Sequence, residues 1–435
     1  MLGWMPGNQQ RRGWVLTPLR REVLAWFAGA ALAQTGTPRS RIERLKKEAQ
    51  SDSQGAAANF WAEIDGTGSP LVEDDPREAA YSLVTFLWRG DAETKNVVIF
   101  DGVAAFDARD RMERVRGTNV WFKTYRVRND ARFAYNLSPN DSLKSLDDIK
   151  DNDEMERRLT EFQLDPLNAR RCPATFGPLT AEASYVELPN APPRPWTPAT
   201  VSAKGTVAAT RFHSAILNND RDLWIYRPNG FSRSGGPYAL LVLFDGARNV
   251  KWMPEIFDYL IARKQIPPTV AALVANPSPG RNQELPCYQP FADCLAKELV
   301  PMMRQTCRAT QQAARTVVAG SSYGGLAAVY AGLRYSEIFG NVLTLSGSFW
   351  WKPTGETESE WLTRQIAAAP KLPLRFYQEV GLMEGYTNQI ASNRRMRDTL
   401  RAKGYEAGYA EYNGGHSFLN WSVGTATGLA KLLQP

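Results

Sequence analysis

Residues 316–351 constrain this chain more than any other stretch. Thr316-Val317-Val318-Ala319 is a short, β-branched apolar run of the kind that suits a strand buried on both faces. Gly320-Ser321-Ser322-Tyr323-Gly324-Gly325 breaks that pattern, and Leu326-Ala327-Ala328-Val329-Tyr330-Ala331 follows with the alanine content of a helix. Strand, sharp turn and helix around G-x-S-x-G raise the central serine above the carboxyl edge of a sheet. Such a serine sits in strained backbone, and side chains two residues to either side would collide with neighbouring backbone. The stretch therefore predicts Ser322, and not Ser321, as a nucleophile. A glycine-rich turn without chemistry is the alternative, and the strand before and helix after it argue against that.

A serine hydroxyl is a poor nucleophile until a base takes its proton, and histidine, with an ordinary pKa of about 6.5, suits that task near neutrality. The chain holds only His213 and His416. His416 ends Asn413-Gly414-Gly415-His416, after the last predicted strand, where the order nucleophile, acid, histidine requires it. Gly414 and Gly415 give that loop the freedom to bring the imidazole to Ser322. His213 precedes the first strand of this half and reads as structural. The acid that orients the imidazole belongs on the loop after the strand predicted over 374–380. Glu384 lies past the strand end and is preferred; Glu379 lies within the strand; a Ser322–His416 pair without a close acid is the third option. The oxyanion of an acyl-transfer intermediate needs two backbone donors, each worth ~3 kcal/mol. Tyr323 supplies one, and Ala247 or Gly246 the other, from the turn that follows Leu241-Val242-Leu243-Phe244-Asp245. Asp245 reads as a cap of that turn.

Beyond residue 207 strands and helices alternate. Strands are predicted over 222–226, 238–244, 269–274, 316–319, 341–345 and 374–380, and helices over 253–264, 291–304 and 387–403. This alternation predicts an α/β-hydrolase fold over 207–435, a mostly parallel sheet with helices on both faces. Upstream, 81–89, 96–100, 120–127 and 132–137 are short aromatic and β-branched runs parted by Gly, Asp and Asn turns. Their spacing predicts a smaller immunoglobulin-like β-sandwich over 59–188. Pro189, Pro192, Pro193, Pro195 and Pro198 rule out a helix or a central strand, so 189–206 reads as a stiff linker at the domain boundary. Residues 34–58 read as a tether or short helix, and the charged segment 141–162 as a surface insertion.

With 435 residues, 43% of them hydrophobic, and 13 tryptophans, the chain can bury a large core in two domains. Its formal charge is +7, and without a basic stripe or nucleic-acid motif that charge points to an anionic small substrate and not to nucleic acid. Arg20-Arg21 precede the apolar run 23–33, which closes on the A-x-A pattern Ala31-Leu32-Ala33. A signal peptide over 1–33, of the twin-arginine type, and a periplasmic protein are the expectation; a basic helix opening a cytoplasmic protein is the alternative. No segment reaches the ~20 apolar residues of a membrane-spanning helix. Cys172, Cys287, Cys294 and Cys307 are an even set compatible with disulfides, Cys287 and Cys294 being near enough in sequence to pair. Without a C-x-x-C or a cysteine–histidine cluster, neither a metal site nor a cofactor is expected.

Phe244-Asp245-Gly246, Arg281-Asn282-Gln283-Glu284-Leu285, the 319–325 stretch, Ser346-Gly347-Ser348-Phe349-Trp350-Trp351 and Gly414-Gly415-His416 with Trp421 resemble, in that order, the enterochelin (enterobactin) esterases of the Fes type. Phe60-Trp61, Pro70-Leu71-Val72, Val84-Thr85-Phe86-Leu87-Trp88-Arg89, Gly117-Thr118-Asn119-Val120-Trp121, Asp165-Pro166-Leu167-Asn168 and Glu187-Leu188-Pro189 resemble that family's amino-terminal domain. The resemblance implies a serine esterase that cuts the serine ester bonds of a cyclic tris-catecholate siderophore so that iron is released. A ferric tris-catecholate is a trianion, which suits Arg281, Arg248 and Lys251 near the predicted site and Trp350 and Trp351 as stacking surfaces. Ala247-Arg248-Asn249 and Val274-Ala275-Asn276 depart from the family pattern and bear on which siderophore is cut. Two other readings remain: a carbohydrate or feruloyl esterase with a glycan-binding sandwich, and a non-catalytic siderophore- or sugar-binding protein on the same scaffold.

Overall fold

Runs such as Leu240-Leu241-Val242-Leu243 show no polar alternation because both of their faces are covered. The computed structural model describes residues 40–434, apart from 105–109, 145–148, 150–151, 176–180, 197–199, 202, 277–279 and 386–387. The expected signal peptide, 1–33, lies outside the described residues. The chain forms two compact units, Met1–Val127 with Tyr135–Arg170, and Arg128–Ala134 with Arg171–Pro435. The proline-rich segment 189–206 clusters with the second unit.

The second unit is built on an eight-stranded sheet. Its strands are β1 (Thr206–Ser214), β2 (Asn219–Arg227), β3 (Ala239–Leu243), β4 (Thr269–Val274), β5 (Thr316–Ser321), β6 (Asn341–Leu345), β7 (Arg375–Gly381) and β8 (Glu406–Tyr412). The order across the sheet is β8-β7-β6-β5-β3-β4-β2-β1. Strands β3 to β8 run parallel, and β2 is antiparallel to both β4 and β1. Alternate residues serve opposite faces. Leu240, Val242, Val270, Ala272, Val318 and Val342 pack on one side against the helices Val300–Cys307, Tyr323–Arg334 and Gln389–Ala402. Leu241, Leu243, Ala271, Leu273, Val317 and Leu343 pack on the other against Met253–Ala262 and Phe418–Leu432. This is the expected α/β-hydrolase fold, with β5 at its centre. Because β3, β5, β6, β7 and β8 all point the same way, the turns that follow them gather along one edge.

The first unit carries the antiparallel strands expected over 81–89, 96–100, 120–127 and 132–137. Leu71–Asp74, Tyr81–Arg89, Val120–Arg128 and Glu113–Arg114 form one sheet, and Val97–Phe100 pairs with Arg132–Pro139. Phe86 and Tyr135 meet edge to face at 4.7 Å between them, as facing sheets of a sandwich require. Of the two readings of 34–58, tether or short helix, the described part from Arg41 takes the helical one: Arg41–Glu48 and Ser53–Thr67 bury Ile42, Leu45, Phe60, Trp61 and Ile64 against Leu71, Leu87, Val120 and Phe122. Its charges line the outer face of an amphipathic helix, which hides the inner one from a reading by composition. The insertion 141–162 is pinned at both ends, by a buried Arg158–Asp141 fork and by Phe162 stacked on Phe100 at 3.7 Å.

All four cysteines are free thiols, so the suggested Cys287–Cys294 pairing does not form. Cys287 lies in the turn before the helix Gln289–Cys294 and Cys294 at that helix's far end. Burial pushes the Cys294 thiol up to about 12. No described helix is long and apolar enough to cross a membrane.

Candidate active site

β5 ends at Ser321, and the helix Tyr323–Arg334 begins two residues later. Ser322 bridges them with φ 58° and ψ −124°, a conformation that L residues rarely adopt. It is partly exposed, whereas Ser321 and Tyr323 are buried, so only the middle residue of the turn offers its side chain. The strain is held in place from β6. Ser322 donates its amide to the Leu345 carbonyl at 2.9 Å, and its own carbonyl accepts from the Ser348 amide at 3.1 Å. Its Oγ lies 3.4 Å from the Ser348 Oγ. The steric reading of the flanking glycines holds on one side. A Cβ at Gly320 would come 2.5 Å from the backbone of Gly324, but a Cβ at Gly324 would meet nothing closer than 3.6 Å. The second crowded position is Gly325, whose Cβ would come 2.5 Å from the Thr344 Oγ1 and 3.0 Å from the Gly347 backbone.

The imidazole and the acid come from the loops after β8 and β7, which are laced together. Leu382 donates to the Tyr412 carbonyl at 2.8 Å and Met383 to the Gly414 carbonyl at 3.1 Å. Gly414 is needed for close packing more than for freedom, since a Cβ there would lie 2.5 Å from the Arg132 carbonyl oxygen. His416 Nδ1 and Glu384 Oε2 are 2.6 Å apart, both side chains buried. The other oxygen, Oε1, accepts from the Ser346 hydroxyl at 2.6 Å, the Gly381 amide at 2.9 Å and the Tyr412 hydroxyl at 3.2 Å. The Trp421 ring stands edge-on to the imidazole at 4.6 Å.

Glu379 has a different environment. It accepts from the Tyr377 hydroxyl at 2.6 Å, and burial pushes its carboxyl up to about 7 although that bond works the other way. Burial also raises the Tyr412 phenol, which lies beside the Glu384 carboxylate. His213 is exposed and pairs across β1 and β2 with Asp220 at 3.1 Å.

The turn after β3 neighbours the Ser322 turn because β3 and β5 are paired. Asp245 takes φ 53°, and Gly246–Asn249 closes one helical turn. A Cβ at Gly246 would run into the Leu273 carbonyl of β4, so glycine is required there for the approach of strand backbone. The amides of Tyr323, Gly246 and Ala247 open their helical turns and bond to no described residue. Asp245 does more than cap its turn: Arg281 grips it with two bonds, Nε to Oδ1 at 2.6 Å and Nη2 to Oδ2 at 2.8 Å. Burial works against the Arg281 charge, and Asp245 more than offsets it.

The remaining predicted contacts are scattered. Arg248 donates to the Ala174 carbonyl at 2.6 Å, lies over the Phe418 ring, and has its pKa lowered by burial. Trp350 stands beside the elbow, its ring 5.9 Å from that of Tyr323, with Nε1 donating to Gln389 Oε1 at 2.7 Å. Trp351 packs edge-on against Trp361 at 6.0 Å. Ser346, Ser348, Tyr412 and Gln389 were not singled out as site residues. The one signal for the first two was Ser346-Gly347-Ser348 directly after a strand predicted to lie in the parallel sheet.

Two family models match: "Enterochelin esterase, N-terminal" over residues 83–197, and "Putative esterase" over residues 214–432. The iron(III) enterobactin esterase of Escherichia coli K12 is 30% identical over 397 residues, which cover 87% of this chain and 96% of that one. The chain belongs to the enterochelin esterase family. Another relative, the iron(III) salmochelin esterase of Escherichia coli CFT073, is 26% identical over 418 residues, covering 90% of this chain and 98% of that one. Among solved structures, the enterobactin esterase of Shigella flexneri in the presence of enterobactin superposes with a TM-score of 0.70 at 27% identity, covering 87% and 98% of the two chains. Members of this family are carboxylic ester hydrolases, and the site described above supplies the groups such chemistry needs.

Proposed function

We propose that this chain is a serine esterase that hydrolyses the ester bonds of a catecholate trilactone siderophore, in its ferric form a trianion, and so frees the iron. The observation that carries the reading is the buried Glu384–His416 pair, 2.6 Å apart at the same sheet edge as the Ser322 elbow. It stands in a chain whose relatives over most of its length are iron(III) enterobactin esterases.

In this reading Glu384 fixes the tautomer with the proton on Nδ1, leaving Nε2 to take the Ser322 proton as Oγ attacks the ester carbonyl. The oxyanion falls to the Tyr323 amide and to that of Gly246 or Ala247, donors already aligned and unspent on other residues. His416 returns the proton to the departing serine alkoxide of the siderophore. Water, deprotonated by the same imidazole, then cleaves the acyl-enzyme and restores Ser322. The partly exposed Arg281, fixed by Asp245, offers the substrate a cation, and Trp350 an aromatic face beside the elbow. Arg248 and Trp351, bound up with Ala174 and Trp361, serve better as support for the turn and the wall.

The test is turnover of ferric and iron-free trilactone followed by chromatography of the products. Ser322→Ala and His416→Ala are expected to lower kcat by ~10⁴ with the fold intact. Labelling of any serine other than Ser322 by an active-site phosphonate would overturn the assignment. We also propose export to the periplasm, on the arginine pair and the A-x-A pattern of 1–33. A mature amino terminus that still includes residue 20 would refute it.

A further inference from the structure

Ser346 lies one residue beyond β6, buried, with φ 48°. That conformation is costly for any residue with a Cβ, and the chain holds it with main-chain bonds on both sides. Its amide donates to the Glu379 carbonyl at 2.7 Å, and its carbonyl accepts from Gln389 Nε2 at 2.5 Å. The conformation aims the hydroxyl into the acid's environment. Trp421 Nε1, which can only donate, lies 3.0 Å from the Oγ, so the oxygen is the acceptor there. The single hydroxyl proton is then left for Glu384 Oε1 at 2.6 Å, which as a carboxylate oxygen can only accept. The Tyr412 hydroxyl, 3.3 Å from this Oγ and 3.2 Å from Oε1, closes the triangle. The chain Trp421, Ser346, Glu384, His416 thus has one direction of donation along its first two links. The residues flanking Ser346 are those that hold Ser322, through the Leu345 carbonyl and the Ser348 amide.

We infer that Ser346 is a positioning residue for catalysis: its hydroxyl locks the Glu384 carboxylate in the rotamer that orients His416, while the adjoining backbone holds the nucleophile. The inference rests on the esterase reading above. A buried serine that merely satisfies its own hydroxyl would show the same bonds and matter only to stability, so the two roles need separating. Ser346→Ala removes the hydroxyl but keeps a Cβ at positive φ. Ser346→Gly removes the hydroxyl and suits that φ better than serine does.

Both variants are to be assayed on the trilactone beside wild type, Ser322→Ala and Glu384→Gln, and again in the Glu384→Gln background. A positioning role gives a kcat about 10- to 100-fold lower in both, the range for losing one charge-assisted hydrogen bond in a buried network, with KM unchanged. It also gives strong non-additivity, since once the amide at position 384 imposes the wrong tautomer on His416, holding that side chain in its rotamer no longer helps the reaction. Wild-type kcat in Ser346→Gly, or the same fold-loss with and without the Glu384 carboxylate, overturns the inference. If Ser346→Ala fails to fold, the glycine variant decides alone. If Ser322→Ala retains turnover, it is the esterase reading that fails, whatever Ser346 does.

Discussion

Replacing Glu384 with glutamine changes one oxygen to an NH₂ group and almost no volume, yet the structure dictates where that group must go. Oε1 accepts three bonds, one of them from the fixed Gly381 amide at 2.9 Å, so an NH₂ group there would face a donor that cannot turn away. The amide oxygen therefore keeps the Oε1 position, and the nitrogen takes the Oε2 position, 2.6 Å from His416 Nδ1. There it donates, which forces Nδ1 to accept and moves the imidazole proton to Nε2, the atom that should receive the Ser322 proton. The imidazole keeps its place with the wrong tautomer. In a serine protease the equivalent change costs about 10⁴ in kcat, and a loss of about 10³ to 10⁴ is expected here, or ~4 to 5.5 kcal/mol of barrier. The assay is kcat on the trilactone and on a small activated ester, with thermal melts to show that the fold survives. Glu379→Gln is the control and is expected to leave kcat within a few-fold, because Glu379 bonds to Tyr377 and not to the imidazole. The reasoning is refuted if Glu384→Gln stays within about 10-fold of wild type, or if Glu379→Gln shows the larger loss.

Glu379 has its own signature in stability. Burial raises its carboxyl from 4.5 to about 7 in the fold, so the neutral form is the one the interior prefers. The stability tied to it is whole below pH 4.5 and is lost as pH rises to about 7, a change on the order of 3 kcal/mol. Urea unfolding at pH 5 and pH 7.5 should show that decline in wild type and a smaller one in Glu379→Gln; equal declines would remove the argument. The glycines of the elbow should also differ. Gly320→Ala pushes a methyl 2.5 Å from the Gly324 backbone and is expected to cost ~1 to 3 kcal/mol and most of the activity. Gly324→Ala, with nothing inside 3.6 Å, should melt at or slightly above the wild-type temperature, as alanine does in a helix. Equal melting temperatures for the two would contradict the steric account.

The sequence alone carried the elbow, because strand, turn and helix are local: β-branched residues, then glycines, then alanines within twenty positions. It also carried the strands 341–345 and 81–89, whose apolar runs are continuous or regular. Segments without such runs escaped it. β8 is half-buried at an edge of the sheet, and Phe418–Leu432 contains Gly424 and Gly428, which discourage a helix by propensity. Both glycines are explained only by packing, Gly424 against Glu379 and Gly428 against Leu343. The meeting of His416 with Glu384 and not with Glu379, the grip of Arg281 on Asp245 and the place of Ser346 were decided by tertiary structure. Each depends on loops 30 or more positions apart meeting at the ends of neighbouring strands, as Glu384 meets His416. Spacing along a chain fixes which face a residue takes within its own element; which carboxylate meets which imidazole is set by the order in which the strands lie side by side.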